Sequence, residues 1–152
     1  MAESPLATPL AEGEALAHSD NKGFLTSLDI AGHTMLADEP VAVGGTDKGP
    51  SPYGLLSGAL ATCTAMTLHA YAKLKALPVT DIRVLVKHEK VHELDCENCE
   101  RDEGAKIDRL QRTIRIDGDL DEKARARMMQ IADRCPVHRT LSAQVRIVTN
   151  IG

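Results

Sequence analysis

Between Pro52 and Pro78 the chain runs PYGLLSGALATCTAMTLHAYAKLKALP, which is apolar or small on nearly every face of a helix. Pro52 suits a first helical turn, where the N–H that proline lacks would have had no partner. Pro78 cannot continue the helix. Leu55, Leu56, Ala59, Leu60, Cys63, Met66, Leu68 and Ala70 leave little room for a solvent face, and a helix apolar all round is a buried helix. At 1.5 Å per residue, ~23 residues would cross a whole small domain. One domain of 152 residues rarely encloses such a helix alone, so the segment predicts a dimer. The chain has one Phe, two Tyr and no Trp. Its core must therefore be assembled from Leu, Ile, Val, Ala and Met.

The flanking sequence sets the fold class. Residues 1–22 mix small, Pro and acidic residues without clear period and read as a flexible N-terminal arm, leaving residues 23–152 as one domain. FLTSLDI and TMLADEP, separated by AGH, suit two strands. The glycine- and proline-rich VAVGGTDKGPSP is a loop. Ile82, Val84 and Val86 alternate with Arg83, Leu85 and Lys87, and Leu110, Ile114 and Ile116 resume a period of two, which marks half-buried strands. DGDLD leads into the helical EKARARMMQIADR, with Asp119 or Asp121 as N-cap. That helix should stop at Cys135, because the residue before Pro136 is disfavoured in the α region. AQVRIVT reads as a closing strand. Strands linked as hairpins and outnumbering the helices predict an α+β fold with antiparallel sheets.

A net charge of −4 argues against a nucleic-acid binder. No apolar run reaches the ~18 residues of a membrane span. The first twenty residues lack the positive start and sustained apolar stretch of a secretory signal, so the expected location is cytoplasmic. In a reducing compartment four cysteines are more often catalytic, metal-binding or buried than structural disulfides.

Two of these cysteines lie on helical elements. Judged alone, Cys63 in ALATCTAMTL is more often a small hydrophobe than a nucleophile. Cys135 in ADRCPVHRTL has Arg134, His138 and Arg139 nearby, and cations favour the reactive thiolate. The same cations would equally serve the helix C-terminus, and local chemistry leaves the two readings level.

The run GGTDKGPSPYGLLSGALATCTAMTLHAYA, followed downstream by IADRCPVHRTL, resembles the OsmC/Ohr family over roughly residues 38–149. The resemblance implies an OsmC-like fold: an intertwined homodimer with antiparallel sheets around two long central helices, and active sites at the subunit interface. It matches Cys63 to the family's peroxidatic cysteine and Cys135 to its resolving cysteine. Such proteins reduce organic hydroperoxides through a sulfenic acid and then a disulfide, which an external dithiol reductant reopens. The chain departs from the peroxidases in two places. They hold the thiolate with an N-terminal arginine, whereas the first arginine here is Arg83; Lys22, Lys48 or Arg139 are the nearest stand-ins. They also use a glutamate ahead of the first cysteine, where this chain has Tyr53 and Gly54. Two functions therefore remain open. One is an OsmC-like thiol redox protein, a hydroperoxidase if its activity is retained. The other is a noncatalytic protein binding a small apolar or electrophilic ligand in the same pocket. No cofactor is implied by either.

The second cysteine pair lies in HELDCENCERDEG. Glu93, Asp95, Glu97, Glu100, Asp102 and Glu103 surround Cys96 and Cys99 and disfavour a thiolate there. His92, Cys96 and Cys99, with His88 as a fourth, could hold zinc, but half of the usual two-pair pattern is missing. The preferred reading is an acidic loop with two spare thiols and no metal. His69, six residues after Cys63, falls on a different helix face and suits packing rather than base catalysis.

Overall fold

The computed structural model describes residues 9–92 and 106–151. The chain is α+β with antiparallel sheets, as the sequence predicts, and divides into two compact units. One extends up to Leu55 and includes the C-terminal residues from Arg146; the other is Leu56–Val145.

In the first unit, β1 (Ala15–His18), β2 (Thr26–Ile30) and β3 (His33–Ala37) form a three-stranded meander in that order. β1 falls within the stretch where the sequence shows no period; its Ala-Leu-Ala-His is an edge strand paired to β2 from Ala15↔Ile30 to His18↔Ser27. The loop that follows is organised by a buried carboxylate. Asp38 accepts the amides of Glu39, Thr46 and Lys48 and the Thr46 hydroxyl, the last at 2.6 Å. The Thr46 hydroxyl, with the three amides, holds the Asp38 carboxyl below the usual carboxylate range despite burial. A Cβ on Gly49 would stand 2.2 Å from the Leu36 carbonyl oxygen, so the loop returns past β3 only with glycine there.

The second unit carries most of α1 (Pro52–Leu74), the hairpin β4 (Val79–His92) and β5 (Lys106–Gly118), then α2 (Glu122–Ala132) and α3 (Pro136–Leu141). α1 ends in a Schellman cap. Ala76 takes the left-handed conformation at φ 48°, its amide bonds the Lys73 carbonyl, and the Leu77 amide bonds that of Ala72 at 2.9 Å. The hairpin pairs antiparallel from Val79↔Gly118 to His92↔Lys106. Gly118, at φ 140°, lets the strand pass the Pro78 carbonyl, which a Cβ would meet at 2.1 Å. Asp121, rather than Asp119, caps α2, accepting the Ala124 amide at 2.6 Å.

The core of this unit is Leu68 and Ala72 of α1, Ile116 of β5, and Met128, Ile131 and Ala132 of α2, with Tyr71, Leu77, Ile82 and Ile114 packed around it. Two expectations are corrected. In the single chain α1 is not buried all round: it buries one stripe, Leu60, Thr64, Leu68 and Ala72, while Met66 and Leu74 stay exposed. AQVRIVT does not form a strand: residues 144–151 run without regular structure, and Val145, Ile147 and Val148 are exposed. A strand exists only where an edge offers its hydrogen bonds, and no strand of the described chain pairs with this segment. No helix among the described residues is long and apolar enough to cross a membrane.

Candidate active site

Cys63 lies on α1 beside the buried stripe, one position before Thr64, and is partly exposed. Cys135 is fully buried. The chain reaches it by ending α2 three residues earlier than the proline alone would require. Asp133 is the helix C-cap, and the Arg134 and Cys135 amides bond back to Ile131 and Ala132. Cys135 then turns to φ −53°, ψ 128°, as a residue before proline must. Pro136 opens α3, a helix the sequence reading missed, although proline at a first helical position was its signal.

This turn brings the two sulfurs, remote in sequence, close enough to act on each other's acidity. Both are thiols in this structure. Burial pushes the Cys63 thiol up, and the Cys135 sulfur pushes it further; the Val137 amide and the Thr67 hydroxyl offset only part of this. Burial acts on Cys135 in the same sense. The Cys63 sulfur, the His138 amide, the Thr64 hydroxyl and the Val137 amide gathered near it outweigh burial, and this thiol sits below its ordinary value. No hydrogen bond of full capping geometry closes on the Cys135 sulfur, so the amides act by proximity.

A residue absent from the sequence expectations completes the site. Arg112 of β5 donates from Nη1 to the Thr64 hydroxyl and the Ala132 carbonyl, each at 3.0 Å, and from Nη2 to Asp133 at 2.6 Å. Its side chain is only 12% exposed, while that of Asp133 is 65% exposed. The signal was in the strand pattern. Leu110, Ile114 and Ile116 point inward at a period of two, and Arg112 occupies the position between the first two. A cation in an apolar register needs partners, and here they are Thr64 and the end of α2. The cation tied into this site by hydrogen bonds is thus Arg112, through Thr64 and the end of α2 rather than by direct action on either sulfur.

His69 opens onto a separate cavity of about 600 Å³ with Met66, Lys73, Val79 and Ile82. His88 pairs with Asp108 across the hairpin at 2.8 Å. Cys96, Cys99 and the His92 side chain lie outside the described residues. Among the described residues no three His, Cys, Asp or Glu side chains gather as a metal site.

The sequence profile of the OsmC-like protein family matches residues 45–150. Solved structures share the fold. An organic hydroperoxide resistance protein OsmC from Legionella pneumophila aligns at 16% identity over 89% of this chain and 92% of its own, with a TM-score of 0.62. An organic hydroperoxide resistance protein from Elizabethkingia anophelis, with thiocyanate bound, aligns at 16% identity over 90% and 91%, with a TM-score of 0.63. An OsmC-like protein from Mycoplasma pneumoniae aligns at 18% identity over 84% and 85%, at 0.61. No curated protein sequence matches the chain significantly.

Proposed function

The chain belongs to the OsmC-like family, and on that premise we propose that it is a thiol redox protein that reduces organic hydroperoxides through Cys63 and Cys135. The observation that carries the reading is the convergence of these two sulfurs on one buried site. The partly exposed Cys63 is the sulfur a substrate can reach. Its thiolate attacks the peroxide: an S–O bond forms, the O–O bond breaks, and the alkoxide leaves as alcohol after taking a proton. Cys63 is thereby oxidised to a sulfenic acid and the peroxide is reduced. The Cys135 thiolate then attacks the sulfenic sulfur, forming the disulfide and releasing water. An external dithiol, which the cytoplasm supplies, reduces the disulfide and restores both thiols.

A homodimer suits this reading. Met66 and Leu74 of α1 are exposed in the single chain, and a second copy would cover such a surface.

One observation favours a second reading, binding without turnover. The Cys63 thiol is pushed up by burial and by its neighbour, which leaves little thiolate at neutral pH. The same site would then hold a small apolar or electrophilic ligand. Peroxide consumption with a dithiol reductant decides between them. Turnover that is lost in Cys63→Ser supports the peroxidase; tight binding of a hydroperoxide analogue with no consumption at any pH supports the second reading.

A further inference from the structure

The Thr64 hydroxyl has one proton and two lone pairs, and the structure gives it more neighbours than that proton can serve. Arg112 Nη1 donates to its oxygen at 3.0 Å. The proton goes to the Leu60 carbonyl at 2.8 Å, and the hydroxyl also lies near enough to the Cys135 sulfur to make that thiol more acidic. While Cys135 is a thiol, its S–H can donate to the second Thr64 lone pair, and the hydroxyl proton stays on Leu60. Once Cys135 ionises it can only accept, and the proton must swing onto sulfur. Leu60 loses little, since as a mid-helix carbonyl it keeps its backbone hydrogen bond. Arg112 is what makes the swing inexpensive. Its guanidinium cannot give up a proton, and its hold on Ala132 and Asp133 fixes its fork, so the Thr64 oxygen stays in place while the hydroxyl rotates.

We propose that Arg112 is a positioning residue for closure of the disulfide, acting through the Thr64 hydroxyl on the Cys135 sulfur. The proposal rests on the peroxidatic and resolving roles assigned above. In that step the Cys135 thiolate attacks the Cys63 sulfenic sulfur. The S–S bond forms, the S–O bond breaks, and hydroxide leaves with the proton released when Cys135 ionised. Cys135 is oxidised and the sulfenic sulfur reduced, so no outside oxidant is needed. Arg112 favours the attacking form before the bond is made. The other titratable groups at the pair are Cys63 itself and Asp133 on the Arg112 fork; Val137 and His138 contribute amides.

The test separates the two half-reactions. With cumene hydroperoxide, sulfenic acid is read by dimedone trapping and closure by loss of free thiol. In Arg112→Gln, sulfenic acid formation at Cys63 should change far less than closure does. Closure should slow roughly tenfold, the scale of a lost hydrogen-bond link to a charged group, and Arg112→Lys should recover part of it. Independently of any peroxide, the ultraviolet thiolate absorbance of Cys135 is titrated with Cys63, Cys96 and Cys99 all replaced by serine. Its midpoint should rise by about one unit in Arg112→Gln, and equally in Thr64→Val, with no further rise in the double variant. An unchanged midpoint overturns the proposal, as does equal slowing of both half-reactions with a lowered melting temperature. If the wild-type protein forms no sulfenic acid, the peroxidase reading fails alone. The titration then still supports or overturns the link from Arg112 to Cys135.

Discussion

At the scale of single residues, burial and hydrogen bonding pull the two sulfurs apart in acidity. Cys63 is held above the ordinary thiol value of 9.0, by burial first and then by Cys135. Its thiolate is therefore scarce at neutral pH, and its oxidation by cumene hydroperoxide should rise about tenfold per pH unit until the thiol titrates. The measurement is the rate from pH 6 to 9, with Cys63→Ser as blank; a rate already flat near pH 7 would show that a cation activates Cys63 after all. Arg139→Ala should leave this profile where it is, because the groups acting on the sulfurs are Thr64, Thr67 and the Val137 and His138 amides. The cysteines themselves were legible, since each sits in a recognisable run. Arg112 was not, although Leu110, Ile114 and Ile116 spell out the register it interrupts. Periodicity marks apolar positions, and a charged residue at one of them reads as noise until its partners, distant in sequence, are placed around it.

Helices and strands tell a related story about what pattern can and cannot reveal. α1 stops at Leu74 because Ala76 accepts a left-handed conformation that favours glycine. Ala76→Gly should stabilise the protein by about 1 kcal/mol, read as a higher urea midpoint at unchanged slope. No change would mean that the cap is already strain-free. The Asp38 loop answers to acid. Its carboxyl is held low, chiefly by the Thr46 hydroxyl, so the ionised form belongs to the folded state. That stabilisation is complete above the unfolded value near 3.8 and is lost as pH falls through the lower folded value. Asp38→Asn should remove this part of the acid sensitivity, measured as denaturant midpoints between about pH 5 and 2; identical acid profiles would show that the carboxylate is not a determinant. β4 and β5 were legible over Ile82–Val86 and Leu110–Ile116, where one face is apolar. Their outer reaches toward His92 and Lys106 were not, because an exposed hairpin is held by backbone pairing that leaves little pattern. The short β1 is hidden for the same reason. AQVRIVT misleads in the opposite sense: its alternation is genuine, but strand pattern without a neighbouring edge makes no strand.

For the whole molecule, the exposed side of α1 sets the assembly expectation. Met66 is 66% and Leu74 77% exposed on a helix otherwise rich in apolar residues. Sedimentation at micromolar concentration should give twice the chain mass of 16.4 kDa, and Met66→Lys should shift the distribution toward monomer; a wild-type monomer would leave this face unexplained. The placement of Cys135 at the break between α2 and α3 has a further effect, on heat rather than on chemistry. A disulfide between Cys63 and Cys135 would staple the middle of α1 to the end of α2, closing a loop that holds nearly half the chain. Removing that much freedom from the unfolded state is worth about 4 kcal/mol if the bond forms without strain. Oxidised protein should accordingly melt several degrees above reduced protein, and Cys135→Ser should abolish the gap. A protein working this way passes through two heat tolerances in every cycle, and its melting curve in a cell extract would report how much of it is waiting for reductant.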